Sequence, residues 1–337
     1  MLRPSSRHHP IVWFRSGPSR LLVLALSLAL AACDGGDSPL GPSEGQLDPA
    51  GEAAALATSQ RIAFISYRDP GVPSDLVNGN VYKTDPQGQN EVRVTSEPGY
   101  NDYAPSWSYD NKRIAMVRYR LEEGVGRSDI WVVDADGSGG HWVRPTPSPW
   151  DLSDPTWAPD GSHLVLTVWW DPHWYLAKME LATGNIYLIH PIGGGIVGTR
   201  PSYNKAGTKI VYVGKNYNTI EQINADGSGR KVRYTASITV DHPTFSPDGK
   251  KIAFEKGYSP GNTDIFVKNL ADGTTKRLTF STAADRNATW SPDGSKIAFT
   301  SERSGKAQIW TMNAATGGSL LRITHTTSHE RYPSWSH

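Results

Sequence analysis

The stretch ATWSPDGSKIAF, residues 288–299, nearly repeats PTFSPDGKKIAF, residues 243–254. Both copies place an aromatic residue before a Ser-Pro-Asp-Gly turn and continue with an alternating apolar run. Aligned on that aromatic residue, the chain contains six copies, at Trp107, Trp157, Tyr203, Phe245, Trp290 and Trp335. Successive copies are 50, 46, 42, 45 and 45 residues apart. A period of this size indicates a repeat architecture.

Each repeat contains short segments that have the pattern of β-strands. In the copy at Trp290, one alternating run follows the turn at residues 296–300, and another follows a variable loop at residues 308–312. Alternation with a period of two, bounded by Gly, Pro, Asn and Asp, is typical of strands. Four antiparallel strands in such a period form one blade of a propeller. The sequence therefore predicts an all-β, six-bladed β-propeller.

The two ends of the repeat region are complementary. RIAFISY, at residues 61–67, matches the second strand of a repeat, whereas YPSWSH, at residues 332–337, matches a first strand. We therefore expect the C-terminal strand to join the N-terminal blade as its innermost strand. This pairing would close the ring and remove a free strand edge.

The repeat resembles that of the TolB-type (WD40-like) β-propeller family, in which Pro-x-Trp-Ser-Pro-Asp-Gly-x-x-Ile-Ala-Phe recurs. The similarity extends over nearly all of residues 61–337. The copies at Phe245 and Trp290 fit closely, whereas the copy at Tyr203 has Lys205 and Ala206 in place of Pro and Asp. The resemblance implies an envelope propeller that binds another envelope lipoprotein. TolB proteins also carry an N-terminal α/β domain, which we expect to be missing here.

Residues 1–32 have the pattern of a bacterial lipoprotein signal peptide. Four arginines and no acidic residue accompany an apolar run at residues 21–32, which is too short to span a membrane. Cys33, the only cysteine, follows Leu-Ala-Ala and resembles a lipidation site. The alternative is a general secretory signal with an unrelated cysteine. We therefore expect a lipid anchor at Cys33, a flexible tether at residues 33–59 and the propeller at residues 60–337, in the bacterial cell envelope on the periplasmic or surface side.

The charge pattern excludes some classes of partner. The chain has 34 basic and 33 acidic residues, and removal of the four arginines in residues 1–32 leaves 30 and 33. Nucleic-acid binding, which needs a basic face, is not indicated. Nucleophile-elbow, metalloprotease and phosphate-loop motifs are absent from the sequence. We therefore expect a binding module without a cofactor, although a divalent metal is an open alternative.

The predicted turns sort into two faces. The short Asp-Gly turns, such as residues 291–294, share one end of the ring, the uniform face. Loops between second and third strands, such as residues 120–129, share the other end with the connections between blades; this is the variable face. Divergent loops on a rigid scaffold usually carry binding.

Polar residues precede each inner strand on the variable face, and we expect them to ring the mouth of the central channel. They are Asp102, Tyr103, Asp154, Arg200, Asp241, His242, Asp285, Arg286, His329, Glu330 and Arg331. For the carboxylates of Asp102, Asp285 and Glu330 the alternative is structural, with backbone N–H groups as donors and neighbouring blades held together.

The repeat at Trp157 is unusually rich in aromatic residues. Strand alternation places Trp169 and Trp170 on opposite faces. Trp170, His173 and Trp174 are therefore candidates for an aromatic platform that stacks on a sugar ring or on an aromatic side chain of a partner. The alternative is packing between blades.

Two functions from different classes fit these features. The first is a lipid-anchored, non-catalytic module that binds an envelope protein or peptide at the variable face. The second is a carbohydrate-binding or metal-dependent carbohydrate-active propeller, because some propeller lyases acting on oligogalacturonate have related repeats and use histidines with a divalent metal. His242 and His329 are the histidines expected near the channel. The lack of metal-ligand spacing favours the first function.

Overall fold

The computed structural model describes residues 60–69, 78–122, 125–144, 150–189, 195–259 and 261–337. These residues form 24 strands in six four-stranded antiparallel sheets, the blades of a propeller. The predicted six-bladed β-propeller is thereby confirmed. The predicted signal peptide, Cys33 and the whole tether, residues 33–59, lie outside the described residues. No helix in the described ranges has the length and hydropathy of a membrane-spanning segment.

The strands are numbered β1 to β24 in chain order. Blade 1 contains β1 to β3 (Ile62–Ser66, Asn80–Thr84, Val92–Arg93), and blade 2 contains β4 to β7 (Tyr100–Trp107, Arg113–Glu122, Val125–Asp134, His141–Trp142). Blade 3 contains β8 to β11 (Leu152–Trp157, His163–Trp170, His173–Glu180, Ile186–Leu188), and blade 4 contains β12 to β15 (Gly198–Tyr203, Lys209–Gly214, Thr219–Asn224, Lys231–Thr235). Blade 5 contains β16 to β19 (Val240–Phe245, Lys251–Ser259, Asn262–Asn269, Thr275–Arg277). Blade 6 contains β20 to β23 (Asp285–Trp290, Lys296–Ser304, Lys306–Asn313, Leu321–Arg322), and β24 (Glu330–Trp335) completes blade 1.

Blade 1 closes the ring as the sequence predicts. Strand β24 pairs antiparallel with β1, with Trp335 opposite Ile62 and Glu330 opposite Ser66. The backbone N–H of Trp335 donates to Thr289 in blade 6 at 3.4 Å, and Ser334 accepts from the backbone of blade 2 at 3.3 Å. The closing strand therefore holds both neighbouring blades.

The core lies between blades, because the repeat aromatics are buried against the next sheet. Trp157 is fully buried, and its indole Nε1 donates to the carbonyl oxygen of Ser106 in blade 2 at 2.9 Å. Around it pack apolar residues of both blades, among them Val117, Ile130 and Leu166. A single blade would leave one face of its sheet exposed, so the ring stabilises itself through these seams.

The Ser-Pro-Asp-Gly turns form as their residues dictate. In the copy after Phe245, the hydroxyl of Ser246 donates to Asp248 at 2.6 Å, and the same carboxylate accepts from the backbone of Lys250 at 3.0 Å. Gly249 has a φ of 67°, a conformation that a glycine adopts without steric cost. These contacts keep the uniform face short and regular.

Each inner strand also contains one irregularity. Its pairing with the second strand shifts register near the middle, and one residue there has a left-handed backbone with φ between 43° and 55°. In all six blades this residue stands three positions before the repeat aromatic. The bulge is thus a property of the repeat and recurs around the central channel.

Candidate functional site

Six left-handed residues line one cavity of about 210 Å³ in the central channel. They are Ala104, Asp154, Arg200, His242, Asn287 and Tyr332; we call them the channel ring. A left-handed conformation is costly for residues other than glycine and is often found at functional sites. The ring therefore places six different side chains on one repeated backbone.

A charged cluster joins the ring in blades 4 and 5. Arg200 Nε donates to His242 Nε2 at 3.0 Å and lies 2.9 Å from a carboxylate oxygen of Asp241. On the opposite side of the imidazole, His242 Nδ1 lies 2.9 Å from Glu255 Oε1 and 3.6 Å from Asp241 Oδ2. Glu255 is buried on β17 and also accepts from the backbone N–H of Asn287. These contacts connect blades 4, 5 and 6 at the channel.

Burial and charge compete in setting the pKa values of this cluster. Burial alone would lower the pKa of His242, but the negative charges of Glu255 and Asp241 outweigh it and raise the pKa. Burial would raise the pKa of Glu255, but His242 lowers it overall. For Arg200, burial is outweighed by Asp154 and Asp241, and its pKa is raised. Burial also raises the pKa of Asp241, although His242 and Arg200 oppose the shift.

Within the described residues, Asp241, His242 and Glu255 form a group whose ligand atoms lie within 4.8 Å of one another. One imidazole and two carboxylates suit a divalent metal such as Zn²⁺ or Mn²⁺. Arg200, however, already donates to the same imidazole and pairs with the same Asp241. Its guanidinium supplies positive charge beside the place where an ion would bind. His329 does not join this group.

The remaining polar members of the channel ring have hydrogen-bonding capacity to spare. Asp154 Oδ2 accepts from Thr167 only at 3.4 Å. The hydroxyl of Tyr332 and the side-chain amide of Asn287 make no hydrogen bond to any residue that the structure describes. Donors and acceptors in the channel are thus available to a ligand.

Three predicted channel residues lie elsewhere, in the interior of their blades. Asp102, Asp285 and Glu330 are at most 1% exposed and do not line the channel cavity, contrary to expectation. Each faces an arginine on or just after the adjacent strand: Arg118 is 2.7 Å from Asp102, Arg303 is 2.8 Å from Asp285, and Arg68 is 3.2 Å from Glu330. These three carboxylates therefore fit the alternative of a structural role. Their donors, however, are arginine side chains and hydroxyl groups, whereas the sequence suggested backbone N–H groups.

Four further predicted residues lie beside the channel cavity but do not line it. The Tyr103 hydroxyl is 2.8 Å from the hydroxyl of Ser128. Asp241 belongs to the charged cluster, and His329 Nδ1 accepts from the backbone of Ala307 at 3.2 Å. Arg331 pairs with Glu302 at 3.2 Å. Of the predicted set, only Asp154, Arg200 and His242 line the channel cavity itself.

A second cavity, of about 610 Å³, lies beside blade 5. Its lining comes from blades 4, 5 and 6 and includes Tyr217, Thr239, Asp241, Glu255, Thr263 and Arg286. Asp241 and Glu255 of the charged cluster therefore border this cavity, whereas His242 borders the channel. Arg286, a predicted binding residue, lines only the second cavity.

The residues of the predicted aromatic platform lie on the β9–β10 hairpin of blade 3. Trp170 is 48% exposed, and its ring lies 6.4 Å from Trp150 and 6.2 Å from Tyr175. His173 pairs with Trp170 across the hairpin, whereas Trp174 packs on Trp169 at 5.3 Å on the other face. The platform is thus Trp170 and His173 with two neighbouring rings, and Trp174 is not part of it.

Sequence reasoning missed Ala104, Asn287 and Tyr332 of the channel ring, and Glu255. A usable signal exists for the first three, because the ring residue stands three positions before each repeat aromatic. In five of six repeats a proline follows it; Asn287, which precedes Ala288, is the exception. No comparable signal marks Glu255, which comes from the second strand.

The channel cavity also reaches the uniform face. Its lining includes Tyr109, Lys205, Pro247, Pro292 and His337, which stand two residues after the repeat aromatics. The sequence predicts a site only at the variable face. A ligand in the channel would have groups from both ends within reach.

Comparisons with known proteins agree with the repeat. Residues 229–337 match the family model of the TolB beta propeller domain. The Tol-Pal system protein TolB of Rhizorhabdus wittichii is 45% identical over 72 residues, 21% of this chain and 15% of that protein. A TolB homolog of Chlorobium chlorochromatii is 34% identical over 131 residues, 38% of this chain and 28% of that protein. The matched segments therefore span less than a third of either relative.

A solved structure extends the likeness to the whole ring. TolB from Acinetobacter baumannii superposes with a TM-score of 0.68 over 82% of this chain and 67% of that chain, at 20% identity. That level of identity shows a common fold. The repeat, the family-model match over residues 229–337 and the common fold thus make this propeller similar to those of TolB proteins.

Proposed function

We propose that this chain is a lipid-anchored propeller of the bacterial cell envelope that binds a protein or peptide partner at its channel, without catalysing a reaction. The names of its relatives support an envelope role, since several are Tol-Pal system proteins. The partner is proposed to approach from the variable face. Cys33 is proposed to carry the lipid, and residues 34–59 to give the propeller reach from the membrane.

The observation that carries the proposal is the channel ring. Six residues share one strained backbone position, yet their side chains differ completely in size and charge. A purely structural position would favour glycine in every repeat, because glycine adopts a positive φ without strain. A constant frame with diverse side chains is the arrangement expected of a binding surface.

The free groups of the ring suit a peptide. The Tyr332 hydroxyl and the Asn287 amide are available to backbone N–H and C=O groups of a bound segment. Arg331 stands beside the channel on β24, and arginines are frequent anchors in interfaces. Together these groups favour a polar, partly acidic partner segment.

Carbohydrate binding is a second candidate, favoured by the 48% exposure of Trp170 on the aromatic platform. An exposed indole stacks on the apolar face of a sugar ring. Quenching of tryptophan fluorescence by envelope oligosaccharides should then be lost in Trp170→Ala and retained in Trp142→Ala, a change in blade 2. Equal quenching in both variants would exclude the platform.

Affinity capture tests the main proposal. The full-length tagged chain would be cross-linked in envelope extract of its source bacterium, and captured proteins identified by mass spectrometry. Arg331→Glu should reduce recovery of the captured partner at least about tenfold, the effect of losing one interface anchor. Lys250→Glu, a charge reversal in an exposed turn of the uniform face, should leave recovery unchanged.

A third variant decides the direction of approach. Lys205 lines the channel cavity at its uniform end. Loss of the partner in Lys205→Glu but not in Arg331→Glu would place the partner at the opposite face and overturn that part of the proposal. Recovery of no partner by the wild-type chain would overturn the binding function itself.

A further inference from the structure

We infer that the second cavity, beside blade 5, binds the carboxylate of a ligand, with Arg286 as the opposite charge. This site differs from the channel cavity, and the inference does not depend on the partner proposed above. It rests on one unpaired cation, on the pairing of every other charge that lines the cavity, and on unused hydroxyl groups around it.

Arg286 is the unpaired cation. It lies on the inner strand of blade 6 and is partly buried, yet its guanidinium makes no hydrogen bond or ion pair with any described residue. Its Nε is fully buried without a partner. A buried donor without a partner costs free energy, and the cost is larger for a charged group. Such a group in a cavity wall favours an anion that it can bind.

The equivalent residue of the next blade shows the contrast. Arg331 stands four residues before Trp335, as Arg286 stands four residues before Trp290. Arg331 Nε is buried without a partner too, but Arg331 Nη2 pairs with Glu302 at 3.2 Å and contacts His329 at 3.4 Å. The unpartnered Nε is therefore common to the repeat position, whereas the lack of any ion pair is particular to Arg286.

The acidic groups in the same cavity are already paired. Asp241 lies 2.9 Å from Arg200, and Glu255 lies 2.9 Å from His242. Neither carboxylate is therefore left as the counter-charge of Arg286. Their presence does set a limit, because a doubly charged anion such as phosphate would be repelled. A single carboxylate matches the one unpaired guanidinium and can accept two of its N–H groups.

The rest of the lining suits a polar ligand of small size. The hydroxyl groups of Thr239, Thr263 and Tyr217 make no hydrogen bond with the residues described in this structure. Gly257 keeps the wall open, because an added Cβ would stand 3.0 Å from Thr239 Oγ1. The cavity volume of about 610 Å³ accommodates a small organic acid or an acidic side chain of a bound peptide.

Titration of the full chain with defined probes tests the inference. The probes are propionate, as a free small acid with one carboxylate, N-acetyl-aspartate amide, as an acidic side chain, and inorganic phosphate. We expect saturable calorimetric binding of at least one carboxylate probe and weaker binding of phosphate. Preference for propionate would indicate a free acid as the natural ligand, and preference for the amide would indicate a side chain of a partner.

Two matched variants assign the site. Arg286→Gln should weaken binding of the carboxylate probe about 10- to 100-fold, the range expected for charge-assisted hydrogen bonds. Arg322→Gln, a change on β23 outside the lining of both cavities, should alter it less than about twofold. Both variants should be checked for folding by thermal unfolding. In the wild-type chain, the NMR signal of Arg286 Nε–H, assigned by its loss in Arg286→Lys, should shift during the titration.

Several outcomes would overturn the inference. They are an absence of saturable binding for both carboxylate probes, phosphate as the tightest probe, equal losses in the two variants, and an unchanged Nε–H signal at saturation. Failure to capture an envelope partner would leave these measurements unaffected, so the two proposals can fail separately.

Discussion

At the scale of single residues, the decisive feature is which charges are paired inside blades and which face a cavity. Asp102 and Arg118 are each 1% exposed, and they contact at 2.7 and 2.9 Å through two nitrogen atoms of the guanidinium. Burial raises the pKa of Asp102 although Arg118 opposes the shift. This carboxylate therefore depends on its arginine.

Removal of that arginine should destabilise the protein strongly. Arg118→Ala leaves Asp102 buried without its cation, and we expect the free energy of unfolding to fall by about 3–5 kcal/mol. Chemical denaturation followed by tryptophan fluorescence measures this change. Arg120→Ala, on the same strand but stacked on Trp142, is the control and should cost about 1 kcal/mol. Equal decreases in the free energy of unfolding would show that the buried Asp102–Arg118 pair does not stabilise the protein more than an ordinary surface contact does.

Arg200 should exclude divalent metal from the charged cluster. It occupies the Nε2 side of His242 and pairs with Asp241, so its removal frees two of the three candidate ligands. We expect Zn²⁺ to bind Arg200→Gln at least about tenfold more tightly than it binds the wild-type chain. Calorimetry and metal analysis after dialysis measure the difference, and the double variant Arg200→Gln/His242→Ala is the control. Stoichiometric metal in the wild-type chain, lost in His242→Ala, would contradict this account.

Sequence reasoning found part of this residue-scale picture. Asp154, Arg200 and His242 could be predicted because they are polar residues shortly before the repeat aromatics, although the structure places all three within the inner strands and not before them. The role of Asp285 could not be, because its partner Arg303 comes from the adjacent strand, 18 residues later. Tyr332 was missed since the left-handed bulge, which aims it at the channel, has no signature in strand alternation.

At the scale of elements, the closing strand β24 carries a group that titrates near neutral pH. Glu330 is fully buried, and burial raises its pKa to about 7 although Thr326, Arg68 and Ser66 oppose the shift. Its Oε1 accepts from all three, whereas Oε2 has no partner. The seam between β24 and β1 is therefore more stable when Glu330 is protonated.

The sign of the resulting pH dependence follows from linkage. Between about pH 4.5 and 7 the folded chain keeps a proton on Glu330 that the unfolded chain releases, so stability falls as pH rises through this window. Glu330→Gln cannot ionise. We expect its stability relative to wild type to be more favourable at pH 8 than at pH 4.5, by up to about 3 kcal/mol.

Denaturation curves at the two pH values measure this difference. Glu97→Gln is a control of opposite sign, because burial is outweighed by Arg118 and the pKa of Glu97 is lowered. The ionised form of Glu97 stabilises the fold above the ordinary pKa of a glutamate, and this stabilisation is lost in acid. The free energy of unfolding of Glu97→Gln, relative to wild type, should therefore be less favourable at pH 8 than at pH 4.5. A Glu330→Gln variant that tracks the wild-type chain at both pH values would exclude titration at the seam.

At the scale of the whole molecule, the sequence predicts the ring almost completely. The spacing of Trp107, Trp157 and the later aromatics predicts six blades. The complementary ends of the repeat region predict that the C-terminal strand closes the ring. The prediction of the ring succeeds because the same strand pattern recurs in each of the six repeats. The cavities were harder to predict, since they depend on how neighbouring inner strands approach, which single repeats do not encode.

Membrane attachment concerns the chain outside the described residues. If Cys33 is lipidated, Cys33→Ser should abolish incorporation of a fatty-acid analogue and move the protein from the membrane fraction to the soluble fraction. Stable anchoring needs acyl chains. The lipid is joined to the cysteine sulfur through a thioether, and serine has no sulfur to form it. Metabolic labelling followed by fractionation measures both effects. Equal labelling of the two proteins would end the lipoprotein hypothesis.

Ring closure should make the propeller cooperative as a whole. Deletion of residues 332–337 removes most of β24, including Trp335, which is 3% exposed, and frees the inner edge of β1. Loss of one large buried aromatic costs about 3–5 kcal/mol, a large part of the 5–15 kcal/mol that typically stabilises a domain. We therefore expect a lower melting temperature for every blade, read from near-ultraviolet circular dichroism and from hydrogen exchange in blade 4, the blade opposite the seam.

Point variants separate closure from the simple loss of a side chain. Trp335→Ala and Trp290→Ala remove equivalent repeat aromatics, 3% and 6% exposed, in the closing strand and in an ordinary inner strand. Both should destabilise the ring by similar amounts, while the deletion should destabilise it further because it also breaks the pairing of β24 with β1. If the deletion left exchange in blade 4 unchanged, the blades would be folding independently, and closure by β24 would not be what stabilises the ring.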